Sequence, residues 1–272
     1  MVVVGVAVAC SSVLFQTVTG NRILTPGIMG FDRLFVLIQT LIVYVFGALT
    51  LTTTDPRLLF AGQTAVMVIF SLALYRWLFG RDGRDLYVLV LAGVVFGTLF
   101  GSLSSLAQRL INPNDFVVLQ DSLFAGFNQV DPGLLAFSAV LVAAMAVWTA
   151  RLSARLDVVA LGRDTALNLG VNHASVVNQA LVVIAVMVSV ATALVGPVTF
   201  LGLLVANLAR QLTGTFRHRT VLPAATLLSV IVLVGGQAVL EQVFGMNTAL
   251  SVIINFVGGA YFIALLIREP RR

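Results

Sequence analysis

Chemistry inside an apolar chain needs ionisable or nucleophilic groups close enough to act together, and this sequence of 272 residues holds few. Its histidines are His173 and His218, its one cysteine is Cys10, and all 16 basic residues are arginine. Without lysine there is no G-x-x-x-x-G-K-[ST] phosphate loop and no lysine Schiff base. One cysteine and two histidines leave no disulfide framework and no Cys/His metal cluster, so neither a metal site nor a cofactor is expected. An intramembrane hydrolase needs a Ser/His pair or two carboxylates at membrane depth. No G-x-S-x-G occurs, both histidines fall in loops, and Asp32 and Glu241 stand near the ends of apolar segments. No catalytic residue is expected, and the chain reads as a non-enzyme. If nucleotide powers it, another chain binds that nucleotide.

The polar groups that do interrupt an apolar tract lie in GPVTFLGLLVANLARQLTG, Gly196 to Gly214, which carries Asn207, Arg210 and Gln211. Between Pro197 and Gly214 there is room for ~15 helical residues, ~22 Å at 1.5 Å each. A bilayer's hydrocarbon core is ~30 Å thick. Whether so short a segment crosses is decided by the elements around it.

The chain is 59% hydrophobic and 10% charged, the composition of an integral membrane protein. Its apolar runs have helix-spanning length, unlike the ~10-residue alternation of a barrel. The segments are 2–19, 34–51, 58–79, 87–110, 133–151, 174–195, 199–213, 221–243 and 251–268, nine with the short one. This predicts an all-α polytopic transmembrane bundle forming one domain over 1–272. MVVVGVAVACSSVLF lacks a basic leader and an A-x-A-like site, so it reads as a retained helix. The arginines sit in short loops between apolar segments, where they orient the chain; no nucleic-acid surface is expected.

Orientation settles the short segment. Arg151, Arg155 and Arg163 precede 174–195, Arg217 and Arg219 follow 199–213, and Arg268, Arg271 and Arg272 end the chain. If 199–213 crosses, all three clusters share one side, as the positive-inside rule prefers. Carried backward, this places Arg22, Arg33, Arg76, Arg81 and Arg84 inside too, leaving Arg57 and Arg109 outside among Asp55, Asp115, Asp121, Asp131 and Glu241. The C-terminus is then cytoplasmic. Arg210 is expected to snorkel at the cytoplasmic end, and Asn207 to hydrogen-bond a neighbour.

Gly93, Gly97 and Gly101, extended by Ser105, form a small-residue stripe. It suits close helix packing, with a glycine-lined substrate path as the other reading. The outer loop 111–133 suits a surface helix. The inner loop 153–175 suits one or two interfacial helices joined near Gly162, with Ala166, Leu169 and Gly170 on one face behind Arg163 and Asp164. Such a loop docks a partner or rests on the lipid interface. Arg57 and Arg109 either meet an external partner or mark membrane boundaries.

Four motifs resemble the iron-siderophore permeases, the membrane subunits of binding-protein-dependent ABC importers. GPVTFLGLLVANLAR resembles that family's G-P-[IV]-x-F-[LV]-G-L-[LIV], and LGRDTALNLGV its L-G-x-x-x-A-x-x-L-G-V. NRILTPGIMGF stands where relatives have N-P-L-A-x-P-x-x-L-G, and FVGGAYFIALLIR where they have G-x-P-x-F-x-x-L-L. The chain departs at Ala206-Asn207, usually Pro-His, and at Gln237 and Glu241, usually Asp and Arg. The NRILTPGIMGFD form and the Gln/Glu pair resemble the catecholate-siderophore branch.

The resemblance implies a permease in the bacterial cytoplasmic membrane that moves a ferric siderophore inward with ATP hydrolysed by ATP-binding cassette subunits. Cobalamin or haem import shares the fold, and a secondary transporter is the rival from another class. It implies a second related permease chain, a heterodimer in preference to a homodimer. The external loops, with Arg57, Arg109 and Glu241, would meet an extracytoplasmic substrate-binding protein. The segment at about 156–172 would couple to the ATPase through Leu161, Gly162, Arg163, Asp164, Ala166, Leu169, Gly170 and Val171. Gly196, Pro197, Gly202, Asn207 and Arg210 carry the family's short crossing helix, with Pro197 expected in its first turn. The family has ten membrane helices; the tenth would precede Val2.

Overall fold

Long apolar runs with few internal breakers bury their peptide groups most simply as helices. The computed structural model describes residues 1–79, 86–124, 126–127, 130–243 and 249–268, and among these there is no strand. In order come α1 (Val2–Thr19), a 3-10 turn (Pro26–Met29), α2 (Phe31–Phe46), α3 (Leu49–Thr53), α4 (Pro56–Phe79), α5 (Leu86–Leu110) and α6 (Pro113–Leu123). Then follow α7 (Pro132–Val159), α8 (Arg163–Asn168), α9 (His173–Val195), α10 (Leu201–Thr213), α11 (His218–Val243) and α12 (Leu250–Arg268).

Each of the nine apolar segments is largely helical, though 34–51 is divided at Gly47 (φ 80°) between α2 and α3, and α6 lies in the outer loop where a surface helix was expected. Six of them, α1, α4, α5, α7, α9 and α11, are long and apolar enough to cross a membrane. The other three are shorter in their apolar part: α2, α10 and Leu250–Ile263 of α12. The chain is a multi-pass membrane protein. Buried residues cover most sides of α1 and α9, as suits helices apolar all round. Around them α4, α5, α7 and α11 expose apolar outer faces at Ile69, Val95, Val140 and Leu227.

One end of the bundle is basic. Asp157 near the end of α7 touches His218 at the start of α11, and His218 touches Thr17 at the end of α1. This brings Arg151, Arg155, Arg217 and Arg219 to one end, with α8 and the start of α9. From there α9 runs away and α10 returns, so the two are opposed, as a crossing requires. The last helix follows α10 in the same direction: Asn255 accepts from the Phe200 backbone (3.4 Å) and Gln211 donates to Tyr261 (3.1 Å). Arg81, Arg84, Arg271 and Arg272 lie outside the described residues.

Three boundaries differ from the sequence reading. The seventh helix does not stop at 151; its 28 residues, ~42 Å of helix, run to Val159 because nothing breaks it before Gly162. The inner loop therefore holds one short helix, α8. Pro197 is not in the first turn of α10, which begins at Leu201. Gly196, at φ 93°, ends α9 in a conformation that L side chains rarely adopt, and 196–200 continues without helix. Finally, α2 begins at Phe31, behind Gly30 at φ 93°.

Candidate functional site

The start of α2 lies at membrane depth, not in a loop. Gly30 meets Gly97 near the middle of α5 so closely that a Cβ on Gly30 would stand 2.9 Å from the Gly97 Cα and 3.2 Å from the Gly93 carbonyl. A Cβ on Gly97 would stand 3.1 Å from the Gly30 Cα. The stripe is thus a seam at Gly93 and Gly97, against a turn and not another helix. One turn on, a Cβ at Gly101 would be 3.7 Å from Cδ and Nη1 of Arg33, an ordinary contact.

The chain from Gly20 to Gly30 therefore climbs from the basic end to mid-depth, apart from one 3-10 turn without α-helix. There it meets the second unwound stretch, 196–200. Thr199 Oγ1 donates to Asp32 Oδ2 at 2.6 Å, and a Cβ on Gly27 would lie 3.4 Å from Thr199 Cγ2. Unwound backbone at this depth persists only where protein buries it or a cavity receives it. Both hold here. A cavity of about 30 Å³, room for a water, lies between Ser12, Thr25, Asp32, Thr192 and Gly202, with the buried Thr25 hydroxyl unpartnered. Beside it, sharing Asp32 and Thr199, opens a hollow of about 1050 Å³.

Arg33, Gly101, Ser102, Ser105 and Arg109 line this larger hollow. Sequence reasoning put Arg33 in a cytoplasmic loop, which the structure corrects; Asp32 is near a segment end as expected, in the first turn of α2, but that end lies at the level of the middle of α5. Pro26, Gly27 and Gly30, three helix-unfriendly residues ahead of the polar pair, were the available signal. A guanidinium at the centre of a bilayer costs ~3 kcal/mol on insertion scales, so such a group faces protein or a wet cavity. Arg33 is exposed to the hollow, and among the described residues no carboxylate pairs with it.

The short helix α10 is held by polar contacts. Gly202 abuts Ser12 of α1, where an added Cβ would lie 1.9 Å from the serine Oγ. Asn207 Nδ2 donates to the Arg22 and Leu203 carbonyls, both at 3.0 Å, tying α10 to the climbing segment. Arg210 does not snorkel outward; its Nη1 donates to Gln16 Oε1 on α1.

At the basic end, Asp157 Oδ1 accepts from the His218 backbone N–H (2.8 Å) and faces His218 Nδ1 (2.6 Å). A carboxylate oxygen only accepts, so Nδ1 carries a proton; Nε2 faces Thr17 Oγ1 at 2.7 Å. Below this clasp, Gly162 (φ 98°) and Gly170 (φ 75°) flank α8. The face expected from Ala166, Leu169 and Gly170 does not form. Ala166 is fully buried against the bundle, and Leu169 and Gly170 follow the helix end. The side turned outward is Leu161 (53% exposed), Leu167 (53%) and Leu169 (60%), with Arg163 and Asp164 exposed and Val171 packed inward. Leu167 was missed because a helix face was assumed to continue past Asn168.

At the opposite end, Arg57, Arg109 and Glu241 are all exposed but occupy separate places. A Cβ on Gly133, in the first turn of α7, would lie 3.1 Å from Arg57 Nη2. Arg109 lines the hollow, and Glu241 accepts from Gln237 at 3.0 Å.

The chain has close relatives in sequence and a counterpart in fold. The petrobactin import system permease protein YclO of Bacillus subtilis is 49% identical over 273 residues, covering 100% of this chain and 86% of its own length. The petrobactin import system permease protein FatC of Bacillus anthracis is 35% identical, covering 99% of this chain and 76% of its own length. A solved inward-facing ABC transporter of the metal-chelate type shares the fold, with TM-score 0.85 at 21% identity over 98% of this chain and 84% of its own. The model of the FecCD transport family matches residues 1–268, and the chain belongs to that family.

Proposed function

We propose that this chain is the membrane permease subunit of a bacterial ABC importer carrying a ferric siderophore inward, with ATP hydrolysed by a separate subunit. The observation that carries this reading is the end-to-end similarity to the petrobactin permease YclO. The hollow at mid-depth supports it, being large enough for a chelate and bounded by unwound backbone. The positive-inside rule makes the basic end cytoplasmic, and the C-terminus with it. Residues 1–272 act as one transmembrane domain.

The ATPase subunit docks on the segment at about 156–172, taking Leu161, Leu167 and Leu169 into an apolar socket while Arg163 and Asp164 bind at its edge. A second, related permease chain completes the pore as a heterodimer. A substrate-binding protein covers the end bearing Arg57, Arg109 and Glu241.

Radio-iron uptake from a ferric catecholate tests this in cells lacking the chain and in cells complemented with it. Uptake is expected to return with the wild-type chain, to persist with a protonophore while ATP is maintained, and to fail with Leu169→Arg. Equal uptake without the chain would refute the role. Abolition by the protonophore at full ATP would favour a secondary transporter.

A further inference from the structure

The importer reading leaves open what the hollow selects. Two features of its wall bear on that. Arg33, at the start of α2, reaches across to the level of Gly101 with no carboxylate pairing it among the described residues. Asp32, the nearest acid in sequence, lines the same hollow, but its Oδ2 accepts from Thr199 and it forms no ion pair with Arg33. Arg109 stands on the same wall, two helical turns or ~12 Å along α5 from Gly101. Between the two levels the wall carries Ser102, Ser105 and Leu106.

We propose that Arg33 and Arg109 form a stepped anion-accepting wall, and that Arg33 sets selectivity for negatively charged, oxygen-rich ferric chelates over neutral ones. This rests on the importer reading. A guanidinium that faces a hollow at membrane depth without an ion-pair partner has donors free for a charged ligand, and guanidinium donors bind anionic oxygens in pairs. The small Ser102 and Ser105 side chains leave room beside Leu106, so the chelate reaches both charges. Arg109 meets it first from the external end, and Arg33 receives it at mid-depth, where screening by water is least.

The test uses the assembled transporter in phosphatidylcholine vesicles with ATP on the ATPase side. It compares radio-iron import from a trianionic ferric tris-catecholate and an electroneutral ferric trihydroxamate. The wild type is expected to favour the trianionic complex. Arg33→Gln should lower its import about tenfold or more, as loss of a charge-assisted bond does, and leave the neutral complex unchanged. Arg33→Lys should restore much of the preference. Equal loss of both chelates, or none of either, in Arg33→Gln would overturn the assignment. So would an effect seen only when phosphatidylglycerol is added, since the arginine would then bind a lipid headgroup. A wild-type transporter importing neither chelate would instead refute the importer reading beneath it.

Discussion

Asp157 and His218 meet through a single carboxylate oxygen, which accepts from the α11 backbone and faces the imidazole Nδ1 at 2.6 Å. One side chain therefore caps α11 and clasps it to the projecting end of α7, while Nε2 reaches Thr17 of α1. The α8 hinge hangs from this joint. Asp157→Ala removes a cap, typically worth ~1 kcal/mol, and leaves the buried imidazole without its acceptor. In a double-mutant cycle, Asp157→Ala and His218→Ala are expected to couple by ~0.5–3 kcal/mol in unfolding free energy. Strict additivity would show that the joint is not one unit.

The Gly30–Gly97 approach sets an order of tolerance. Gly30→Ala should be worst, because it combines a positive φ with a backbone clash. Gly97→Leu should follow, at the ~1–3 kcal/mol usual for overpacking. Gly101→Ala should be nearly neutral, since its Cβ would meet Arg33 at 3.7 Å. Thermal unfolding of the three purified variants checks the order; equal melting points would place the seam elsewhere.

Gly202 and Ser12 offer a compensation test. An added methyl at 202 strikes the Ser12 Oγ, so Gly202→Ala alone should lower thermal stability. Ser12→Gly in the same chain should restore most of the loss by emptying the colliding volume. If the double variant melts no higher than Gly202→Ala, α10 and α1 do not pack as described.

The segment at α8 separates folding from docking. Ala166→Arg buries a charge and should reduce folded protein, whereas Leu167→Arg and Leu169→Arg touch only the outward side. Those two are expected to insert and melt normally but fail to co-purify with the ATPase subunit. Wild-type co-purification by both would remove these leucines from the interface.

Most segments were legible by apolar length, the short 199–213 only through the side on which the flanking arginines fall, and Gly162 was legible as a break within the inner loop. Depth was not. Counting arginines against the positive-inside rule treats each one ahead of an apolar run as a loop residue, so it set Arg33 with Arg22. Yet the ten residues between them include Pro26, Gly27 and Gly30, enough chain to climb to the middle of α5. The facing of Ala166 was likewise invisible: a small residue suits a partner's surface and its own bundle equally well, and only the packed structure decides. Phe31–Phe46 shifted for the same reason as Arg33, since hydropathy cannot see that a glycine seam starts the helix early.

Cargo passage through the hollow is tested most directly at Ser105. It is exposed there, and Cys10, the one native cysteine, is buried, so Ser105→Cys supplies a single accessible thiol. In the assembled transporter, a membrane-impermeant thiol reagent should label it, and a ferric tris-catecholate supplied during ATP turnover should slow that labelling. Labelling at the same rate with and without the chelate, in a transporter importing iron, would contradict passage along this wall.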